Sequence, residues 1–134
     1  MRSVVECYRG RDVRVFRLDR AAVVARLRGR AERLLAEEPN VLEVRLFGSL
    51  ARGDAHPGSD ADLFVVVRDG AAPFLARIPT IARHFSGVGV GCDVIVYTEG
   101  ERARLAGRFA QAVLEEGILL AARISPSSPP RPPA

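Results

Sequence analysis

The apolar positions of the chain fall into short runs and spaced stripes whose periods separate strands from helices. Residues 13–18, VRVFRL, alternate apolar and basic and predict a short edge strand. Asp19 then stands as an N-cap, and Val23, Val24, Leu27, Ala31, Leu34 and Leu35 recur at helical spacing, giving the next helix one apolar stripe. Glu37, Glu38 and Pro39 end it. VLEVRLF, 41–47, suits a pleated core. A Gly, Ser, Asp, His and Pro loop fills 48–60, and ADLFVVV, 61–67, is apolar on both faces, as expected of a central strand.

The second half is more broken. Residues 71–86 carry helical spacing together with Pro73 and Pro79, which predicts a turn and then a helix starting near Pro79, where proline is tolerated in the first position. Glycines 87, 89 and 91 stop it before the strand CDVIVY, 92–97. Thr98 with Glu101 forms a capping-box signature for a helix running to about Glu116, with Gly107 as a candidate break. ILLAA, from Ile118, predicts a last short strand. The expected fold class is α/β (α+β): a small mixed sheet with helices packed mainly on one face. One domain, 1–124, is expected, followed by a Pro/Ser-rich tail, 125–134, that buries too little to order itself.

Composition narrows the chemistry. At 134 residues the chain can bury one real core. No apolar run approaches the roughly 20 residues of a membrane span, and charges interrupt every apolar stretch near the start, so a cytoplasmic location is expected by default. All 20 basic residues are arginine, which excludes a Walker-type P-loop with its phosphate lysine. A net charge of +4, with acidic residues among the arginines and few aromatics, argues against a general nucleic-acid binder. Cys7 and Cys92 are too few and too far apart for a zinc site or a disulfide scaffold, and Cys92 reads as a buried thiol.

The informative stretch is LFGSLARGDAHPGSDADLFVVV. Asp60 and Asp62, two apart and entering a strand, project from one face. Two adjacent carboxylates raise each other's pKa unless a cation lies between them, and magnesium takes such oxygen ligands together with substrate phosphates. Gly48 lets backbone approach a phosphate, and Ser49 can donate to it; a helical turn begun by LARG would add a favourable dipole. Asp93, alone in an apolar strand, is costly to bury unless paired or metal-bound. Three carboxylates together could hold two metal ions.

These residues resemble the signature of the nucleotidyltransferase superfamily that includes DNA polymerase beta, kanamycin nucleotidyltransferase and the minimal nucleotidyltransferases. That signature is an apolar residue, Gly-Ser, about ten residues, Asp-x-Asp in an apolar strand, and a later strand Asp. Here the positions are Phe47, Gly48-Ser49, Asp60-Ala61-Asp62 and Asp93, within a likeness spanning residues 13–122. The resemblance implies transfer of a nucleoside monophosphate, AMP from ATP by default, onto an acceptor hydroxyl. It implies two Mg2+ ions on Asp60 and Asp62, with Asp93 ligating the catalytic one, and Gly48 and Ser49 holding the β and γ phosphates, with Arg52 as a weaker phosphate candidate. The chain's economy resembles the minimal branch paired with HEPN proteins, implying an antitoxin that modifies a toxin tyrosine. A non-catalytic antitoxin and a homodimeric small-molecule transferase of the antibiotic-modifying type are the alternatives.

Other polar residues have plainer readings. Glu43 and Asp54 read as solvated charges, and Arg52 as an equal candidate for pairing with Asp54 or Asp69. His56 reads as an exposed loop residue and His84 as a helix-surface one. Arg26, Arg28, Arg30 and Arg33 read as a solvated helix face with Glu32 and Glu37. The alternation Phe64, Val66 and Ile95, Tyr97 predicts a second apolar face, on the side of the aspartates, with few helices to cover it and hence a partner-docking surface.

Overall fold

The computed structural model describes residues 5–9, 14–70 and 74–123, with side chains described from Arg17 onward except at 74–77. The tail expected at 125–134 lies outside them.

The chain begins with a hairpin of β1 (Val5–Arg9) and β2 (Arg14–Leu18), paired antiparallel as a separate two-stranded sheet. The strand expected at 13–18 is therefore present, but it does not edge the main sheet. Helix α1 (Arg20–Glu37) follows, its first turn closed by the Asp19 carboxylate accepting from the Ala22 amide at 3.1 Å. Val23, Leu27, Ala31 and Leu34 are fully buried, the expected stripe, with Val24 and Leu35 packed at its margin. The chain then runs through β3 (Val41–Phe47), the single-turn helix α2 (Ser49–Arg52) and β4 (Ala61–Val67). After these come α3 (Phe74–Arg83), β5 (Cys92–Thr98), α4 (Glu99–Ala103), α5 (Gly107–Ala110) running into a π-helical turn at Gln111–Glu115, and β6 (Ile118–Ala122).

The main sheet has the order β5-β4-β3-β6, with β4 antiparallel to β3 and parallel to β5, and β3 antiparallel to β6. The central β4 is buried on both faces from Leu63 to Val67, as its unbroken apolar run requires. Leu63, Val65 and Val67 face the main core with Val44, Leu46, the α1 stripe, Ile81 of α3 and Phe85 just beyond it. Phe64 and Val66 face the other way.

That second face is not bare. Phe64 and Val66 are buried in a smaller cluster with Val113, against which Phe47, Tyr97, Leu105, Phe109 and Leu114 pack. Phe109 meets the ring of Phe47 edge-on at 5.7 Å and that of Phe64 at 6.1 Å. The segment after the capping box folds back over the sheet and leaves Ile95, at 37% exposure, as the uncovered apolar residue near the aspartates.

Four further expectations change. Helix α3 begins at Phe74, so Pro79 lies inside it. An interior proline costs about 3 kcal/mol, and burial of Ile81 and Phe85, each 2% exposed, opposes that cost. The arginines of α1 are not merely solvated: Arg26 donates to the Val88 carbonyl, Arg28 to Leu119, and Arg30 to His84. Among the described residues, only Arg33 of these makes a surface pair, with Glu37. His84 is tucked against α1, its Nε2 3.4 Å from the Glu37 carboxylate. Glu43 is largely buried rather than solvated, bound through both oxygens by Arg102 at 3.2 Å and approached by Arg45.

Candidate active site

The three aspartates meet at one end of the sheet because β4 and β5 run parallel and in register there. Asp62 stands opposite Asp93 across that pair and opposite Phe47 across the antiparallel pair with β3. Asp60 immediately precedes β4, where the Ala61 amide donates to the Gly91 carbonyl at 2.8 Å and ties the entry of β4 to that of β5. Sequence parity places Asp62 and Asp93 on the face that carries Phe64 and Tyr97, and the register brings them side by side.

Two glycines make room for the carboxylates. A Cβ on Gly48 would lie 2.2 Å from Asp62 Oδ2, and one on Gly91 would lie 2.5 Å from Asp60 Oδ1. Gly48 also has φ 77 and ψ −157, a region that only glycine occupies readily. Its first duty in the fold is thus to turn the chain out of β3 directly against the Asp62 carboxylate, beyond any approach to a phosphate.

The electrostatics record this crowding. Burial pushes the Asp62 carboxyl above its usual range, the charges of Asp93 and then Asp60 push it further, and Arg52 only partly offsets them. Arg52 itself is exposed and paired with Asp54 at 3.2 Å, which decides between the two partners expected for it. Asp69 instead accepts from the Gly100 amide at the start of α4. Cys92, half-buried beside the aspartates, has its thiol pushed up to about 11 by burial and by Asp60 and Asp93. Among the described residues no three His, Cys, Asp or Glu side chains are drawn in as a preformed metal cage. The aspartates are an open, mutually repelling set of hard oxygen donors with one neighbouring arginine, a donor chemistry that suits a divalent cation.

Ser49 opens α2, whose bonds run from the Arg52 amide to Gly48 O and from the Gly53 and Asp54 amides to Ser49 O. Arg20, at the start of α1, donates from Nε to Leu50 O at 2.6 Å and from Nη2 to Ala51 O at 2.9 Å. Nothing in the residue pattern singles Arg20 out, because its partners are backbone carbonyls 30 and 31 positions away. His56 stays on the exposed loop, its amide donating to Ser59 Oγ.

The sequence profile of the nucleotidyltransferase domain matches residues 27–120, from within α1 to β6. The chain belongs to the nucleotidyltransferase domain family. The chain is thus a nucleotidyltransferase, and the matched stretch spans the Gly48-Ser49 turn and all three aspartates.

Solved structures agree on the fold. A Sulfolobus solfataricus protein assigned as a nucleotidyltransferase shares 27% identity at a TM-score of 0.58, over 78% of this chain and 84% of that one. A protein assigned as a minimal nucleotidyltransferase shares 33% identity at a TM-score of 0.51, over 71% of this chain and 93% of its own. A toxin–antitoxin structure containing AMP-PNP superposes at a TM-score of 0.53 with 22% identity, over 72% of this chain and 73% of that one, a likeness of fold alone. No curated protein matches the sequence. Among the described residues no helix is long and apolar enough to cross a membrane.

Proposed function

We propose that this nucleotidyltransferase is a magnesium-dependent enzyme of the minimal type that transfers AMP from ATP to a hydroxyl of a partner protein. The observation that carries this reading is the in-register pairing of Asp62 with Asp93, with Asp60 beside them and Gly48 packed on the Asp62 carboxylate.

Asp60 and Asp62 would hold two Mg2+ ions, with Asp93 completing the shell of one. Bound there, the ions would supply positive charge to the phosphates and acidify the acceptor hydroxyl. The chain's own residues do the rest. The Ser49 hydroxyl and the backbone of the Gly48-Ser49 turn hold the β and γ phosphates, and Arg52 lends positive charge once it releases Asp54. The acceptor oxygen forms a bond to the α-phosphorus, the bond from that phosphorus to the β-phosphate oxygen breaks, and pyrophosphate leaves. Asp93, on the edge strand, serves the acceptor side by helping to remove the hydroxyl proton.

The acceptor comes from outside. The described elements are spent on the catalytic core, and the exposed Ile95 lies two residues beyond Asp93 on the edge strand β5, where a docked protein could present a side chain. The AMP-PNP-bound toxin–antitoxin neighbour accords with this, and a tyrosine of a HEPN toxin is the acceptor we favour. Calorimetric titration of ATP into the wild type, Ser49→Ala and Asp62→Asn variants, with and without Mg2+, tests the site. Binding should require Mg2+ and weaken in Ser49→Ala by on the order of 1.5–3 kcal/mol, the worth of a hydrogen bond to a charged group. Equal binding by all three proteins, or binding indifferent to metal, would exclude it.

A further inference from the structure

Helix α2 presents a physical problem. It is four residues long, and a single turn is not stable by itself, since nucleation fixes several dihedrals for one hydrogen bond. Its final carbonyls have no partner further along the helix. The Gly48 and Ser49 carbonyls are satisfied locally by the amides of Arg52, Gly53 and Asp54. Those of Leu50 and Ala51 are met by Arg20.

We infer that Arg20 is a positioning residue for the phosphate-binding turn, a role that rests on the assignment of Gly48 and Ser49 to the NTP phosphates. Its two bonds come from different nitrogens of one planar guanidinium and reach two successive carbonyls, a fork that a lysine ammonium cannot reproduce. They are charge-assisted and short, and a cation at the C-terminal end of a helical turn is favourably placed. The backbone that carries the fork is held in place. Arg20 is the first residue of α1, the Asp19 carboxylate caps that helix one residue earlier, and Val23 fixes its first turn in the main core.

At the far end, Leu50 is fully buried and Ala51 is 8% exposed, so the middle of α2 is anchored in the same core. Two movements that these anchors would oppose are rotation of α2 about its own axis and fraying of its ends. Both would move Ser49 and the Gly48-Ser49 amides relative to Asp62, which packs on Gly48. Arg20 opposes both movements through its bonds to the Leu50 and Ala51 carbonyls. Among the described hydrogen bonds of α2, only those of Arg20 link it to an element distant in sequence.

A residue that merely stabilised the fold would lower the melting temperature and leave the kinetics of the surviving protein alone. Positioning makes a different demand. In Arg20→Ala, KM for the nucleotide should rise on the order of tenfold, because misplacing binding groups by a fraction of an ångström is costly, while kcat changes less. Arg20→Lys should melt close to the wild type and still show the raised KM, because an ammonium lacks the planar, pre-set fork that reaches both carbonyls at once. Hydrogen exchange read by mass spectrometry on the segment 48–54 should quicken in both variants, while exchange in β3 and β4 stays as in the wild type.

Unchanged exchange at 48–54 in Arg20→Ala would overturn the clamp. Faster exchange with an unchanged KM, or full recovery of KM in Arg20→Lys, would overturn the positioning role. If the wild type itself bound no nucleotide, the phosphate assignment would fall instead, and the exchange measurement would still decide whether Arg20 holds the turn.

Discussion

Gly48→Ala is the sharpest perturbation of the site, because the structure assigns it two separable costs. The first is conformational: φ 77 with ψ −157 is essentially reserved for glycine, and holding another residue there costs on the order of 1–3 kcal/mol. The second is steric: the new methyl would lie 2.2 Å from Asp62 Oδ2, so the carboxylate must move, at a cost of about 1–3 kcal/mol if the site resists as overpacked cores do. A double-mutant cycle with Asp62→Ala separates them. In the wild-type background, Gly48→Ala should destabilise by the sum, read by chemical denaturation without divalent metal. In the Asp62→Ala background only the conformational part should remain, so the two substitutions should couple by about 1–3 kcal/mol. Equal destabilisation in both backgrounds would show that Gly48 and the Asp62 carboxylate are not in contact.

The remaining predictions concern neighbouring charges. Asp62 has its folded pKa raised above 3.8, so its contribution to stability is present below that value and is lost as pH rises through the folded pKa; metal-free Asp62→Asn should therefore melt higher than the wild type at pH 7 and near it at pH 3.5, and a lower melting point at pH 7 would contradict the crowding. Glu43→Ala strands the partly buried Arg45 and frees Arg102, and should cost roughly 1–3 kcal/mol in urea melts, below the 3–5 of a fully buried pair; a neutral substitution would mean that the pair is solvated. With the Cys92 thiol held near 11, only about 0.1% is thiolate at pH 8. Iodoacetamide should thus label it slowly in a Cys7→Ser background and faster once Asp93→Asn is added; rapid labelling at pH 8 would refute the assigned environment.

Much of this was legible in the sequence, for physical reasons that differ by element. The Asp19 cap and the Thr98–Glu101 box are local chemistry, and both form with the expected bonds, Glu101 N to Thr98 Oγ1 at 3.2 Å and Thr98 N to Glu101 Oε1 at 3.0 Å. The strands 41–47 and 61–67 and the onset of the last strand at Ile118 were set by apolar runs with clear punctuation. What could not be read depends on partners distant in the chain. Pro79 looked like a helix start, because nothing local shows that Ile81 and Phe85 are drawn into the core. The α1 arginines looked solvated, because their partners are carbonyls 54 to 91 residues away. The aspartate-bearing face looked bare, because a chain broken at Gly107 does not announce that Phe109 and Val113 will fold over it. The three aspartates were found individually, whereas their side-by-side placement depended on a parallel β4–β5 register that no single-sequence pattern specifies.

The central claim is that Asp60, Asp62 and Asp93 form a metal-dependent nucleotidyl-transfer centre. It is tested most directly by incubating the purified protein with α-labelled ATP, Mg2+ and a candidate HEPN partner, and following the label and released pyrophosphate. The account predicts label on a hydroxyl of the partner, with stoichiometric pyrophosphate, abolished by EDTA and by each of Asp60→Asn, Asp62→Asn and Asp93→Asn while the variants remain folded. Transfer that survives loss of all three aspartates, or that proceeds unchanged in EDTA, would contradict it.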